Sequence, residues 1–234
     1  MKASFTEHLI EFRRRLIVVL AFLIAATVLS YPLAQPLLLK MKEDLLGGIN
    51  LVIIEPQEAV MAYFSVSLLL GFTFTLPVLT YHLWAFIAPG LLKQERRMLA
   101  YLIIPSVFMF LIGVAFGYYV LLPVALKFLL ASAEPLATPM ISLGSATSFI
   151  TSLLLALGVV FQLPLITAAL SRLGVLDYRT LARYRRHVIV LIFLIAGIIT
   201  ADPGFVTQTL LAVPMVLLYE VGILTSRVAG GKRC

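Results

Sequence analysis

The chain has 234 residues, of which 62% are hydrophobic and only 12% charged, against about 25% charged in ordinary soluble domains. A water-exposed fold of this size cannot bury so much apolar surface, which excludes a soluble enzyme or binding domain and leaves the bilayer as the natural solvent. The net charge of +7 lies between apolar blocks and not in a basic domain, so it points to anionic lipid headgroups and away from nucleic acid.

Residues 1–15 read as a short cytoplasmic helix. Ser4 and Glu7 have the spacing of a capping box. Phe5, Leu9, Phe12 and Leu16 recur at helical spacing and form one apolar face. His8, Glu11 and Arg15 share another face, and Glu11 and Arg15 are placed for an i,i+4 ion pair. An interfacial helix with an ordinary ion pair would account for this much. The apolar block that follows lacks a small-residue cleavage site and is long enough to span, so it reads as a retained helix and not a cleaved signal peptide.

A spanning helix needs about 20 mostly apolar residues. Five blocks meet that length: 16–34, 59–80, 98–122, 145–170 and 205–225. A sixth, 188–200, rises only about 20 Å against a hydrocarbon core of about 30 Å. It is followed by the turn residues Asp202, Pro203 and Gly204 and then by a full-length block. The reading is a hairpin of two crossings, the first of them short.

Orientation follows from the basic residues. Lys2, Arg13, Arg14 and Arg15, then Lys93, Arg96 and Arg97, then Arg172, Arg179, Arg183, Arg185 and Arg186, and finally Arg227, Lys232 and Arg233 all fall on one side. Only Lys40, Lys42 and Lys127 fall on the other. The basic side is cytoplasmic, so both termini are inside and the number of crossings is even. The expected fold is all-α, a single polytopic domain over residues 1–234 with six transmembrane helices. Prolines 32, 77, 105, 123, 164 and 214 punctuate the spans. They either kink the helices into a curved, concave bundle or reflect the ordinary frequency of proline in membrane helices.

In the second cytoplasmic connection, Trp84 reads as an interfacial anchor, Pro89-Gly90 as a turn, and Glu95 sits among Lys93, Arg96 and Arg97. A solvated charge cluster would account for it. Gln162 lies inside the fourth span beside Pro164, and Glu220 inside the last. A buried amide seeks either a polar residue on a partner helix or a backbone carbonyl freed by the proline. Glu220 is a functional candidate by its position, though pairing within the bundle or reaching the cytoplasmic interface is the plainer reading. Cys234 is the single cysteine, so neither an internal disulfide nor a cysteine-ligated metal cluster can form. Neither a His-Glu-x-x-His pattern nor a nucleotide-binding Gly-x-x-x-x-Gly-Lys-Ser/Thr loop occurs. No cofactor, metal or catalytic residue is expected, and the chain does not read as an enzyme.

Several motifs in order resemble one family. The run 7–16, Glu-His-Leu-Ile-Glu-Phe-Arg-Arg-Arg-Leu, is similar to the N-terminal signature of the TatC family, the signal-peptide-binding subunits of twin-arginine translocases. Residues 84–91 with Glu95, Arg96 and Arg97 resemble that family's first cytoplasmic loop. Gly117-Tyr118 with 122–128 resembles the end of its third span, and 208–214 with Tyr219-Glu220 resembles its last. The resemblance runs from about Phe5 to Arg227.

It implies a receptor at the cytoplasmic face of the plasma (inner) membrane that binds the twin-arginine signal peptides of folded cargo. Such a receptor would recruit single-span TatA/TatB-like partners for proton-gradient-driven export, in a larger complex compatible with a homo-oligomer. Glu11 and Glu95 would be the carboxylates that receive the arginines, with His8, Leu9, Arg13, Phe86, Arg96 and Arg97 shaping the site. A guanidinium offers a planar fork that a carboxylate accepts bidentately and that lysine cannot reproduce. Pro36 matches a family proline and would turn the chain into a periplasmic cap over 35–58. Pro77, Pro89, Pro164 and Pro214 are structural. The sequence departs from the family at Gln162, where a glutamate is usual, and at Asp202, which receives no role beyond the turn. The alternative reading, a secondary transporter of a small solute, would need ionisable residues near the midplane, and Gln162 is the only conspicuous candidate there.

Overall fold

The computed structural model describes residues 5–47, 49, 51–87, 101–133, 140–200 and 205–230. The fold is nearly all helical. In chain order it comprises α1 (Phe5–Leu46), β1 (Leu51–Val52), α2 (Glu58–Ile87), α3 (Ile103–Phe116), a π-turn (Gly117–Leu121), α4 (Leu122–Ala133), β2 (Ile141–Ser142), α5 (Leu143–Val160), α6 (Leu163–Arg172), α7 (Tyr178–Thr200) and α8 (Phe205–Gly230). Among the described residues, five helical stretches are long and apolar enough to cross a membrane: Leu9–Leu46, Glu58–Phe86, Ile103–Ser132, Leu143–Arg172 and Gln208–Val228. Outward-facing residues such as Leu29, Ile198, Leu217 and Phe108 are largely exposed, as a lipid-facing surface requires.

The expected short crossing 188–200 is not among those five. It is the second half of α7, a continuous helix of 23 residues whose first half carries Arg179, Arg183, Arg185 and Arg186. Composition rather than length keeps α7 below the threshold for a span.

α5 is the centre of the packing, touching α2, α3, α7 and α8, while α1 lies mainly on α2, and α8 on α6 and α7. Leu153, Leu154 and Leu157 of α5, Val66 of α2, Leu122 of α4 and Leu211 of α8 are buried in one continuous core. The close crossing of α3 and α5 depends on two glycines. A Cβ on Gly113 would lie 2.8 Å from the Leu157 carbonyl oxygen, and one on Gly158 would lie 2.4 Å from the Phe110 ring. Small residues let membrane helices approach where no hydrophobic force drives them together. Buried hydroxyls donate back along their own helices: Ser30 to Ala26, Ser67 to Tyr63, Thr75 to Gly71 and Thr151 to Thr147. This leaves few polar groups unsatisfied inside the bundle.

The prolines act differently from expectation. Pro36 does not turn the chain, because α1 runs through Pro32 and Pro36 to Leu46. The N-terminal segment, expected to be a separate helix over 1–15, is continuous with the first span. Pro77 and Pro214 do lie in helix interiors. Pro105, Pro123 and Pro164 sit in the first turns of α3, α4 and α6, where a missing N–H leaves no bond broken. Ahead of Pro123 the chain takes a π-turn in which the Leu122 N–H reaches back to the Gly117 carbonyl. The wider ring moves backbone away from the proline.

At the expected periplasmic end, β1 and β2 pair in parallel, Leu51 with Ile141 and Val52 with Ser142. Tyr118 donates to Asp44 Oδ2 at 2.6 Å. Together they tie the outer ends of α1, the third span and the fourth. At the other end, α6 closes with a reversal in which Gly174 has φ +73°. The Val175 N–H donates to Leu170 and the Gly174 N–H to Ser171, the paired bonds that end a helix on a left-handed glycine. Asp177 Oδ1 then accepts from the Arg179 N–H at 3.2 Å and starts α7.

Candidate functional site

Glu11 sits one turn before Arg15 on α1, and the two pair as their spacing predicts. Arg15 Nε donates to Glu11 Oε1 at 3.1 Å, and Nη2 reaches the same oxygen. Arg15 Nη1 extends to the backbone carbonyl of His82 on α2 at 3.4 Å. One guanidinium therefore ties the Glu11 carboxylate to the second helix. Beside it, Phe12 meets Phe86 edge to face at 5.4 Å between centroids. Phe12, Leu16 and Val19 from α1 and Leu79, Leu83 and Phe86 from α2 line an apolar groove of about 90 Å³. His82 Nδ1 is buried there with no partner among the described residues.

Leu9 and Arg13 are exposed on the outside of α1. Glu11 is about one-third exposed, and Oε2 has no partner among the described residues. The side chains of Glu7 and His8, together with Ser4, Pro89, Glu95, Arg96, Arg97 and the 202–204 turn, lie outside the described residues. Among the described residues no group of three or more His, Cys, Asp or Glu could hold a metal.

Trp84 does not face headgroups. It is 4% exposed and packs on Ala169 and Leu173, which joins α2 to the end of α6. Gln162 stands at the break between α5 and α6 and donates from Nε2 to the Ser106 carbonyl on α3 at 2.9 Å. Its partner is thus on another helix, but it is backbone and not a side chain. The hydroxyl of Ser106 meets Thr80 of α2 at 3.0 Å, so one buried polar string crosses three spans. Glu220 of α8 is gripped by Arg185 of α7, with Nε on Oε1 and Nη2 on Oε2, both at 2.8 Å. Gln208 donates to the Phe193 carbonyl across the same pair of helices at 2.6 Å.

The sequence reading did not anticipate His82, the Thr80–Ser106 contact or the Arg185 partner of Glu220. The last had a usable signal, since Arg185 and Glu220 stand equally far in sequence from the 202–203 turn, and antiparallel helices place such residues at one height.

The profile of the family described as Sec-independent protein translocase protein (TatC) matches residues 7–214. The Aquifex aeolicus Sec-independent protein translocase protein TatC is 37% identical, covering 97% of this chain and 96% of its own. That of Desulforapulum autotrophicum is 35% identical, covering 99% and 87%. Among solved structures, a crystal structure of the twin-arginine translocase receptor TatC superposes with a TM-score of 0.85 at 34% identity, covering 95% of this chain and 99% of that one. A second, in the detergent DDM, gives 0.84 at 35% identity, covering 93% and 98%.

Proposed function

Because the chain belongs to the TatC family of Sec-independent protein translocase proteins, a family of translocase components and not of catalysts, we propose that it is the receptor that reads paired arginines on signal peptides of folded cargo. The reading rests on one observation above the others. Glu11 is held by Arg15 through a single oxygen, Arg15 is anchored on the His82 carbonyl, and among the described residues Oε2 has no partner and can take an incoming donor. A carboxylate oriented in advance loses little entropy on binding, and an incoming guanidinium supplies two more donors in one plane. Glu95 takes the second arginine. It follows Ile87 by eight residues, and α2 ends beside Phe12, so the chain reach allows the two acids to meet. Leu9, Arg13, His8, Phe86, Arg96 and Arg97 flank the pair.

Six crossings, both termini in the cytoplasm, a concave bundle in the inner membrane, and recruitment of TatA/TatB-like single-span subunits driven by the proton gradient complete the proposal. The transporter reading gains nothing, because the amide of Gln162 is already committed to Ser106.

The test is binding of a labelled signal peptide to the purified chain in lipid nanodiscs. An Arg-Arg peptide should bind about tenfold or more tightly than its Lys-Lys counterpart, reflecting the lost bidentate bonds. Glu11→Gln and Glu95→Gln should each erase most of that preference. Equal binding of the two peptides by the unaltered chain would overturn the assignment.

A further inference from the structure

The run Arg183-Tyr184-Arg185-Arg186-His187 lies in the first half of α7, and the helix divides it between two faces. One face is spent inside the protein. Arg185 grips Glu220 of α8, the Leu181 carbonyl accepts from the Tyr219 hydroxyl, and Ile192 and Ala196 are buried further along. The other face is open. Arg183, Arg186 and His187 are exposed, and so are Val190, Leu194 and Ile198 beyond them. Side chains three and four positions apart on a helix are neighbours, with about 5–6 Å between Cβ atoms, so Arg186 and His187 both adjoin Arg183. Neighbouring guanidinium groups repel each other unless an anion lies between them. The acids of the elements around α7 are engaged elsewhere: Glu220 on Arg185, and Asp177 on the Arg179 N–H. α5, which also packs on α7, carries no acid. Among the described residues neither Arg183 nor Arg186 has an acidic partner.

An occupant of this face must be anionic at Arg183 and Arg186 and apolar along Val190 and Leu194, about one and two turns further on. We infer that it is an anionic phospholipid of the inner leaflet, with its phosphate between Arg183 and Arg186 and an acyl chain on Val190 and Leu194. Each guanidinium presents a planar fork of donors to phosphate oxygens. Tyr184 is exposed and stands edge-on to His187 at 5.8 Å between centroids. Its ring has the mixed polarity that settles at headgroup level. A leaflet of negative potential supplies the ligand at high local concentration. An acidic peptide in water is the poorer fit, because it would meet the arginines and leave unused the apolar half of the same helix face. The inference rests on the topology proposed above, in which α7 enters the membrane from the cytoplasmic side. Accessibility of Cys234 to a membrane-impermeant maleimide checks that topology without involving lipid.

Native mass spectrometry of the full chain tests this directly. Released from nanodiscs of phosphatidylglycerol and phosphatidylcholine in equal parts, the chain should retain one phosphatidylglycerol and no phosphatidylcholine. The double variant Arg183→Gln with Arg186→Gln should weaken retention by about tenfold, the scale of charge-assisted hydrogen bonds. Arg14→Gln removes an exposed charge from α1 on the same side of the membrane and should change nothing. Thermal melting of each variant in phosphatidylcholine alone shows whether it is folded. Should the double variant fail that check, Arg186→Gln alone takes its place. Equal retention of phosphatidylcholine, undiminished retention in the folded variant, or equal loss in Arg14→Gln would each overturn the inference. So would displacement of the lipid by inorganic phosphate, or by hexaglutamate at equal concentration, which would assign the arginines to a free anion or to an acidic peptide.

Discussion

Gln162 shows how one side chain sets a helix junction. At the break between α5 and α6 it holds the carbonyl of Ser106, and Ser106 in turn touches Thr80. An amide donates at every pH. A carboxyl donates only while it keeps its proton. In Gln162→Glu the bond to Ser106 should therefore be present in acid and lost as pH rises, because the ionised form offers a carbonyl nothing but repulsion. The variant purified in detergent should melt near the parent temperature at low pH and fall below it at neutral pH. The gap should be on the order of 1–3 kcal/mol for an unsatisfied buried group. A gap independent of pH would mean that the amide serves packing alone. The sequence marked Gln162 as a polar residue in lipid and left its partner open, since nothing in a linear pattern says which carbonyl of which helix lies within reach. Glu11 was more legible: spacing alone placed Arg15 on it, whereas the hold of Arg15 on His82, sixty-seven positions away, exists only once α1 lies on α2.

At the scale of elements, the glycine crossing of α3 and α5 admits a graded prediction. Gly113→Ala drives a methyl group toward the Leu157 carbonyl, which is backbone of α5 and can move only with its helix. Gly158→Ala drives one into the ring of Phe110, a side chain that is fully buried. Both should destabilise by about 1–3 kcal/mol, the usual range for overpacking. Phe110→Leu should rescue Gly158→Ala and leave Gly113→Ala unrelieved. Denaturant-titrated helicity of the four variants in detergent measures it, and rescue of both or of neither would refute the geometry. Hydropathy located the long apolar blocks because the bilayer imposes a length and a composition on each. It could not locate helix ends, because α1 and α2 run past the apolar region into water without a break. It also misjudged proline. A proline in an apolar run reads as a kink, but at Pro105, Pro123 and Pro164 the chain had already begun a new helix or opened a π-turn. Trp84 read as a headgroup anchor from its height alone, and height does not distinguish a ring facing lipid from one facing α6.

At the scale of the whole molecule the open quantity is the number of crossings, and the chain carries its own reporter. α7 is long enough to cross at about 1.5 Å per residue, but its first half bears four arginines, and the apolar half alone falls short of the core. Two forces favour insertion nonetheless. Arg185 is paired with Glu220 at 2.8 Å, and Gln208 satisfies the Phe193 carbonyl, so α7 enters lipid already fastened to α8 at two polar contacts. Local thinning of the bilayer accommodates the remaining mismatch for fractions of a kcal/mol per Å. If α7 crosses, the crossings are even and both termini lie inside. If it lies along the surface, they are odd and the C-terminus lies outside. Cys234 is the only cysteine, so a membrane-impermeant maleimide reads the answer without further engineering. Six crossings require Cys234 to resist labelling in intact spheroplasts and to react in inverted vesicles. A Cys234→Ser chain bearing Ser4→Cys should behave identically at the other end. Labelling of Cys234 in intact spheroplasts, with Ser4→Cys still protected, would set the count at five. It would also put the C-terminal arginines on the side opposite Glu11, against the charge asymmetry that orients the other helices.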